Sequence, residues 1–234
     1  MQKPNSMFRA GHRERLKQKL ADGKLSGYEK LELLLTYAIP RRDVNPMAHA
    51  LLNRFGTLHR VLHASMDDLE QVPGVGHSSA LLIHLVHELI NASFMERLSD
   101  GSVLQQEHVI EGFCRNLLIG KDVEEMHVLY LNHDYYLIAD ELHNRGTINE
   151  ANAYPREIAK RAMVLNASAV ILMHNHPMSN NSFSRDDVAF TQEVIAELER
   201  INVTFVDHYV VAANGVVHSI QRLGLLNQSS FMIE

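Results

Sequence analysis

Two histidines and an aspartate in the C-terminal half of the chain have the residue types and spacing of metal ligands. His174 and His176 lie two residues apart, and Asp187 follows after a short polar segment. Imidazole and carboxylate groups bind zinc in open catalytic sites, where water takes the fourth position. The sequence therefore predicts a His2Asp site for Zn2+, although iron, manganese or cobalt could occupy the same ligands.

An apolar run directly before the histidines predicts the strand that positions them. Residues 169–173 are apolar and partly β-branched, which is typical of a buried strand. Side chains two residues apart on a strand share a face, so both imidazoles are expected to converge on one ion. Pro177 lacks an N–H group and should end the strand immediately after them.

A turn and a helix start are expected to return the aspartate to the histidines. Residues 178–183 are rich in turn formers, and a helical pattern begins at Arg185. Ser184 and Asp187 also fit a variant of the capping box, in which a serine and an acid three residues later satisfy the first N–H groups of a helix. The roles of Asp187 as helix cap and as metal ligand are compatible.

The whole set of residues resembles a known motif. His174, His176, Pro177, Ser184 and Asp187 resemble the JAMM (MPN-type) metalloprotease signature, His-x-His-Pro followed by six residues and Ser-x-x-Asp. Within that superfamily the chain is similar to the RadC family, also called UPF0758, over nearly its full length. Further family markers occur in order along the chain: Arg145-Gly146-Thr147, Tyr154-Pro155-Arg156-Glu157, Asn166-Ala167 and Asp207-His208.

Two positions depart from the family pattern without touching the expected ligands. Met178-Ser179 stands where the family usually has Ser-Gly, and Phe183 where it usually has proline.

The resemblance implies an α+β protein, with a small helical domain (residues 1–98) before a mixed α/β sandwich of the JAMM/MPN type (residues 103–234). It also implies a zinc-dependent hydrolase of metallopeptidase type that acts on an amide or isopeptide bond of a protein or peptide.

The resemblance further assigns two catalytic roles. A glutamate at the start of an early strand is the general base of JAMM enzymes, which points to Glu124, and Ser184 would help to stabilise the oxyanion. Alternatives stay open, because Glu125 is adjacent and helix capping alone explains Ser184. Further acids of the same region are alternative bases: Glu141, Glu150 and Glu157. Asn175, Asp207 and His208 are expected to support the site, and a purely structural role in their strands is the alternative.

The first ninety or so residues are expected to be helical. Ser26-Gly27-Tyr28-Glu29 predicts a capping box, Asn45-Pro46 a helix N-cap and first-turn proline, Gly56 a helix end, and Ser65 the start of a short helix. Residues 69–80 then predict a tight turn between two helices.

This turn, with Gly74 and Gly76 before a helix start at Ser78 or Ser79, resembles a helix-hairpin-helix motif. In that motif, backbone N–H groups hold a DNA phosphate without contacting bases. An ordinary turn in a small helical bundle is the alternative.

The second domain is expected to alternate helices and strands after a polar linker at residues 99–102. The predicted helices lie at 105–118, from Pro155 onward and at 184–200. Besides the histidine-bearing strand, strands are predicted at 126–131, 135–142, 203–211 and 216–220, and Asn214-Gly215 indicates a hairpin between the last two.

Composition and charge limit the classes of protein. The 234 residues, 46% of them hydrophobic, suffice for one large or two small globular domains. No apolar run approaches the roughly 18 residues of a membrane span, and no apolar signal region is visible at the start, so we expect a cytoplasmic protein. The one cysteine, Cys114, is expected to be a core residue on a helix.

Charge is uneven along the chain. The net charge is −6, yet residues 1–30 contain eight Lys/Arg and three acids. Two hypotheses of different classes follow: a zinc hydrolase recruited to a partner or to DNA by its N-terminal helices, or a DNA-associated repair or recombination accessory protein with a structural or vestigial metal site.

Overall fold

A computed structural model describes residues 6–40, 42–146 and 154–228 of the chain. The chain divides into two compact units, Met1–Ile90 and Asn91–Glu234. The division falls inside a long helix that ends at Ser99. The predicted linker at residues 99–102 therefore begins with the last residue of that helix. None of the helices in the described ranges is long and apolar enough to cross a membrane.

The first unit is built from helices around an apolar core. Leu31, Leu51, Val61, Leu69 and Ile83 are among the buried residues that join the helices. The helices, of which the last continues into the second unit, are α1 (Ser6–Ala21), α2 (Gly27–Ala38), α3 (Asn45–Phe55), α4 (Leu58–His63), α5 (Met66–Glu70) and α6 (His77–Ser99).

The predicted start of α2 is confirmed. Ser26 Oγ accepts a hydrogen bond from the Glu29 backbone N–H at 3.2 Å, and the Glu29 carboxylate accepts one from the Ser26 N–H at 3.0 Å. The predicted N-cap of α3 is wrong by one residue. Asn45 is already helical, the N-cap is Val44, and the Asn45 N–H is satisfied by the Asp43 carboxylate at 3.1 Å.

The predicted turn between α5 and α6 is present. Gly74 has φ 89°, a left-handed conformation that favours glycine, and Val72 and Val75 on either side of it are buried in the core of the unit. A Cβ added at Gly74 would lie 3.5 Å from Met47 Cε, whereas one at Gly76 would meet nothing within 4 Å. Gly76 therefore presents open backbone directly before α6.

The second unit is a five-stranded mixed sheet with helices on both faces, which confirms the α+β fold. The strand order is β2-β1-β3-β4-β5; β3 and β4 are parallel, and the other neighbours are antiparallel. The strands are β1 (Glu125–Leu131), β2 (Leu137–Arg145), β3 (Ala169–His176), β4 (Thr204–Ala212) and β5 (Val217–Ser219); the helices are α7 (Glu107–Leu118), α8 (Pro155–Val164) and α9 (Arg185–Glu199).

The second strand begins two residues later than predicted because a side chain extends the preceding turn. The Asn132 side-chain oxygen accepts hydrogen bonds from the backbone N–H groups of Asp134 and Tyr136, both at 2.9 Å. Tyr135 between them has φ 63°. These hydrogen bonds hold residues 132–136 as a turn, and β2 starts only at Leu137.

The alternation along β3 places the two histidines on the face that carries α9. Ile171 and Met173 pack into the core that contains α7, whereas Val170 and Leu172 pack into the core of α8 and α9. His174 and His176 continue the second set, because side chains two residues apart share a face.

Candidate metal centre

The structure brings the three predicted ligands together. His174 Nε2 lies 3.0 Å from His176 Nε2 and 3.4 Å from Asp187 Oδ1, and His176 Nε2 lies 3.2 Å from Asp187 Oδ2. Donor atoms about 2.0–2.1 Å from a tetrahedral zinc ion are about 3.3 Å from one another. The two imidazoles face different oxygens of the Asp187 carboxylate, and one ligand atom from each of the three residues lies within 4.8 Å of the others, close to the spacing around a zinc ion. In the described residues this is the one group of three His, Cys, Asp or Glu side chains so placed.

Local structure at the start of α9 holds Asp187 toward the histidines. The N-cap Ser184 accepts a hydrogen bond from the Asp187 N–H at 3.1 Å, and the Ser184 N–H donates one to Asp187 Oδ2 at 2.6 Å. The predicted capping box is therefore formed. The same carboxylate faces both imidazoles, so one residue caps the helix and offers a metal ligand.

The pKa values of Asp187 and His176 are shifted in opposite directions. Burial favours a raised pKa for the Asp187 carboxyl, but the facing imidazoles of His174 and His176 and the hydrogen bond from Ser184 hold that pKa far below its usual range. The Asp187 hydrogen bond in turn raises the pKa of His176, against the opposing effect of burial. A carboxylate that stays ionised while 2% exposed is suited to a cation, whether a proton on His176 or a metal ion.

A second layer of side chains holds His174 from behind. His208, which is fully buried, places Nε2 2.8 Å from His174 Nδ1 and Nδ1 2.7 Å from Thr191 Oγ1. The Phe183 ring packs edge-on against the rings of His174 and His208, at centroid distances of 5.9 and 5.0 Å. The residue that replaces the family's usual proline thus covers the buried histidine pair.

Asp207 does not contact the three candidate ligands; its carboxylate accepts hydrogen bonds from the Ser219 hydroxyl and from the N–H groups of His208 and Gln221. The expected supporting role thus fits His208, which contacts His174 directly, and fits Asp207 only through the His208 backbone.

The sequence analysis did not identify Thr191. Its position four residues after Asp187, on the same helix face, is the signal that could have indicated it.

An open cleft of about 650 Å³ is lined by two of the three candidate ligands. Its lining includes His176 and Asp187 together with Glu124, Ser184 and the residues that follow β3, of which Met178 is 94% exposed. Both predicted catalytic residues therefore face the same space as His176 and Asp187.

Asn175 fixes the backbone on both sides of Glu124. Its buried side chain donates a hydrogen bond to the Val123 carbonyl at 3.1 Å and accepts one from the Glu125 N–H at 2.8 Å. The histidine strand thus holds the segment that carries Glu124, which gives Asn175 a supporting role through structure rather than through metal contact.

The alternative bases do not line the cleft where they are described. Glu125 is 5% exposed and pairs with Lys121 at 3.0 Å and Arg145 at 3.3 Å. Glu141 binds Arg161 through both carboxylate oxygens, and Glu157 lies near Lys160 at 3.5 Å on α8. Glu150 and the family marker Thr147 lie outside the described residues.

Comparison with known proteins agrees with this fold. Residues 104–225 match the family model for the RadC-like JAB domain, so the second unit is a domain of that class. A UPF0758 protein of Fusobacterium nucleatum is 34% identical over 214 residues, which cover 87% of this chain and 92% of the relative. A UPF0758 protein of Ruegeria pomeroyi is 36% identical over 203 residues, covering 86% of this chain and 91% of the relative. The chain belongs to the RadC (UPF0758) family.

Proposed function

We propose that the chain is a zinc-dependent hydrolase that cleaves an amide or isopeptide bond in a peptide or protein. One observation carries the proposal: His174, His176 and Asp187 form a compact set of three donors, and His176 and Asp187 line an open cleft together with Glu124. Three protein ligands and an accessible fourth position are typical of catalytic zinc, whereas structural zinc sites are closed by four protein ligands.

The chain's own residues supply the remaining chemistry. A zinc ion bound there supplies Lewis-acid activation of water and of the carbonyl under attack. Glu124 accepts the proton of the attacking water and returns it to the leaving amine. Ser184 faces the same cleft and donates its hydroxyl proton to the developing oxyanion, while its oxygen caps α9.

The charge of the cleft favours a peptide over a nucleic acid at this site. Asp122, Glu124, Asp186 and Asp187 contribute carboxyl groups to the lining, and the described lining residues include no lysine or arginine. The two positive charges of a bound zinc ion would not balance these four carboxylates, so the lining stays net negative and disfavours phosphate groups. A neutral or cationic peptide chain fits this electrostatic environment.

Elemental analysis of the untagged protein tests the metal, because a histidine tag would bind zinc itself. We expect about one zinc ion per chain in the native protein and none in a His174→Ala/His176→Ala variant. Absence of zinc from both, even after zinc is supplied, would contradict the hydrolase proposal. Digestion of a proteome-derived peptide library with the zinc-loaded protein, analysed for new termini by mass spectrometry, then tests hydrolysis.

A second candidate function is association with DNA through the hairpin between α5 and α6. The open backbone at Gly76 before the helix start at His77 favours it, as does the excess of basic residues at positions 1–30. Against it stand the acids of α5: Asp67, Asp68 and Glu70, the last of which pairs with His77 at 2.8 Å.

A substitution at Gly76 separates this candidate from the hydrolase. A Cβ fits there, so Gly76→Glu places a carboxylate where a phosphate would bind, and Gly76→Ala is the matched control. If the hairpin binds DNA, affinity for a duplex at low salt falls at least tenfold in Gly76→Glu and stays unchanged in Gly76→Ala. Equal affinity of both variants and the native protein would remove the hairpin from consideration.

A further inference from the structure

A buried hydrogen-bond relay through Thr191 and His208 connects the backbone of Asp187 to the ring of His174. Thr191 Oγ1 lies 2.6 Å from the Asp187 carbonyl oxygen and 2.7 Å from His208 Nδ1, and His208 Nε2 lies 2.8 Å from His174 Nδ1. Thr191 and His208 are both fully buried. Solvent therefore does not reach either side chain.

The direction of the first hydrogen bond follows from the chemistry of the Asp187 carbonyl. A carbonyl oxygen can only accept, so the one hydroxyl proton of Thr191 is donated to Asp187. The Thr191 oxygen must then accept at its other contact, which places a proton on His208 Nδ1.

The next hydrogen bond follows from the burial of His208. Its described side-chain contacts are the Thr191 hydroxyl, the His174 imidazole and the Phe183 ring, and none of these is an acid that could balance a buried imidazolium. A neutral imidazole with its proton on Nδ1 has a lone pair on Nε2. His208 Nε2 therefore accepts from His174 Nδ1–H.

We propose that Thr191 and His208 are positioning residues that fix the proton of His174 on Nδ1 and so keep His174 Nε2 unprotonated as a metal ligand. The inference rests on the proposed metal site and extends it to two residues that do not touch the ion. His174 Nε2 lies 3.0 Å from His176 Nε2 and 3.4 Å from Asp187 Oδ1, the two groups that would share a metal ion with it. Metal-binding histidines commonly have their second ring nitrogen oriented by such a partner.

The relay also links three elements of the fold. His174 lies on β3, His208 on the parallel neighbour β4, and Thr191 one turn after Asp187 on α9. The relay begins at the Asp187 carbonyl oxygen and ends at the His174 ring, whose Nε2 lies 3.4 Å from the Asp187 carboxylate. The same contacts thus hold two candidate ligands at a fixed separation and set the tautomer of one of them.

Thr191→Val and Thr191→Ser test the relay as a matched pair. Valine keeps the branched shape and removes the hydroxyl, whereas serine keeps the hydroxyl and should rescue the native behaviour. Without the Thr191 acceptor, the His208 proton is expected to move to Nε2, donate to His174 Nδ1 and drive the His174 proton onto Nε2, the metal-binding atom.

Two measurements on the full chain report this change. Nitrogen-15 NMR of the zinc-free protein shows which ring nitrogen of His174 carries the proton, and competition with a chelator gives the zinc affinity. We expect Thr191→Val to move the proton from Nδ1 to Nε2 and to weaken zinc binding about tenfold, and Thr191→Ser to restore both. A merely structural role for Thr191 would change stability without moving the proton.

The outcomes separate this inference from the proposed function. An unchanged tautomer and zinc affinity in Thr191→Val would overturn the relay even if the native protein binds zinc. A native protein that binds no zinc would overturn the metal site, while the NMR result would still decide the tautomer. His208→Phe, which keeps the ring packing against Phe183, is expected to weaken zinc binding more than Thr191→Val; equal or tighter binding than in the native protein contradicts the relay.

Discussion

The hydrogen-bond partners of His176 favour a protonated ring. His176 Nε2 faces the Asp187 carboxylate at 3.2 Å, and its Nδ1 lies 3.4 Å from the Asn181 carbonyl oxygen. Both ring nitrogens thus face acceptors, which suits an imidazolium and explains the raised pKa of His176. In the proposed zinc site, a proton on His176 would therefore compete with the metal ion.

This arrangement predicts opposite pH dependences for stability and for zinc binding. Because the folded-state pKa of His176 lies above its unfolded value of 6.5, the ion pair stabilises the zinc-free fold fully below that value, and its contribution is lost as pH rises through the raised pKa. Zinc must displace the proton, so zinc affinity rises over the same interval. Urea unfolding and chelator competition at a series of pH values measure the two trends, and His176→Gln should abolish the stability trend over this interval. A zinc-free fold that gains stability as pH rises there would refute the assignment.

The two adjacent glutamates predict different consequences of the same substitution. Glu124→Gln removes a carboxylate from the cleft, so we expect peptide hydrolysis to fall about 100-fold or more while zinc content is retained. Glu125→Gln disrupts the ion pairs with Lys121 and Arg145, which should lower the unfolding free energy by about 1 kcal/mol and leave hydrolysis nearly unchanged. Kinetics, zinc content and urea unfolding of both variants check this. If hydrolysis falls in Glu125→Gln and not in Glu124→Gln, Glu125 is the general base.

At the scale of elements, Ser184 at the start of α9 is both a helix cap and a proposed catalytic residue. A series of substitutions at Ser184 separates these two roles. Ser184→Ala loses both the cap and the hydroxyl and should cost about 1 kcal/mol of stability. Ser184→Asn keeps a capping oxygen without the hydroxyl, so stability should stay near the native value. If the hydroxyl stabilises the oxyanion, turnover still falls about 100-fold in Ser184→Asn.

Thermal unfolding and peptide hydrolysis of the Ser184 series distinguish the outcomes. Ser184→Thr retains both groups and serves as the control. Native turnover in Ser184→Asn would reduce Ser184 to a helix cap.

Elements defined by local sequence could be predicted, whereas those defined by distant contacts could not. The apolar run before His174 and the capping residues Ser26 and Ser184 gave correct starts or ends, because their signals lie within a few residues. The six-residue helix α4 went unpredicted because it is too short for a clear periodic pattern and its buried Val61 packs into a core formed by distant residues. The contact of His208 with His174 depends on the pairing of β4 with β3, which no local pattern encodes.

At the scale of the whole molecule, acidic and basic groups are segregated along the chain. Residues 1–30 are net basic although the chain as a whole carries −6, and the cleft of the second unit is lined by acids. The two candidate functions therefore use surfaces of opposite character. The acidic cleft would repel phosphates, while the basic segment would attract them.

The acidic lining predicts a preference for cationic substrates if the cleft hydrolyses peptides. Peptides with lysine or arginine beside the cleaved bond should react roughly two- to fivefold faster than neutral ones for each favourable contact, because a partly exposed ion pair contributes about 0.5–1 kcal/mol. Asp122→Asn/Asp186→Asn should reduce this preference, and added salt should reduce it in the native protein by screening. Asp134→Asn removes the same kind of charge from an exposed turn outside the cleft and should leave the preference unchanged. Measurement of kcat/KM for matched lysine and glutamine peptides at low and high salt decides the point, and a preference that survives in the double variant would mean that another surface selects the substrate.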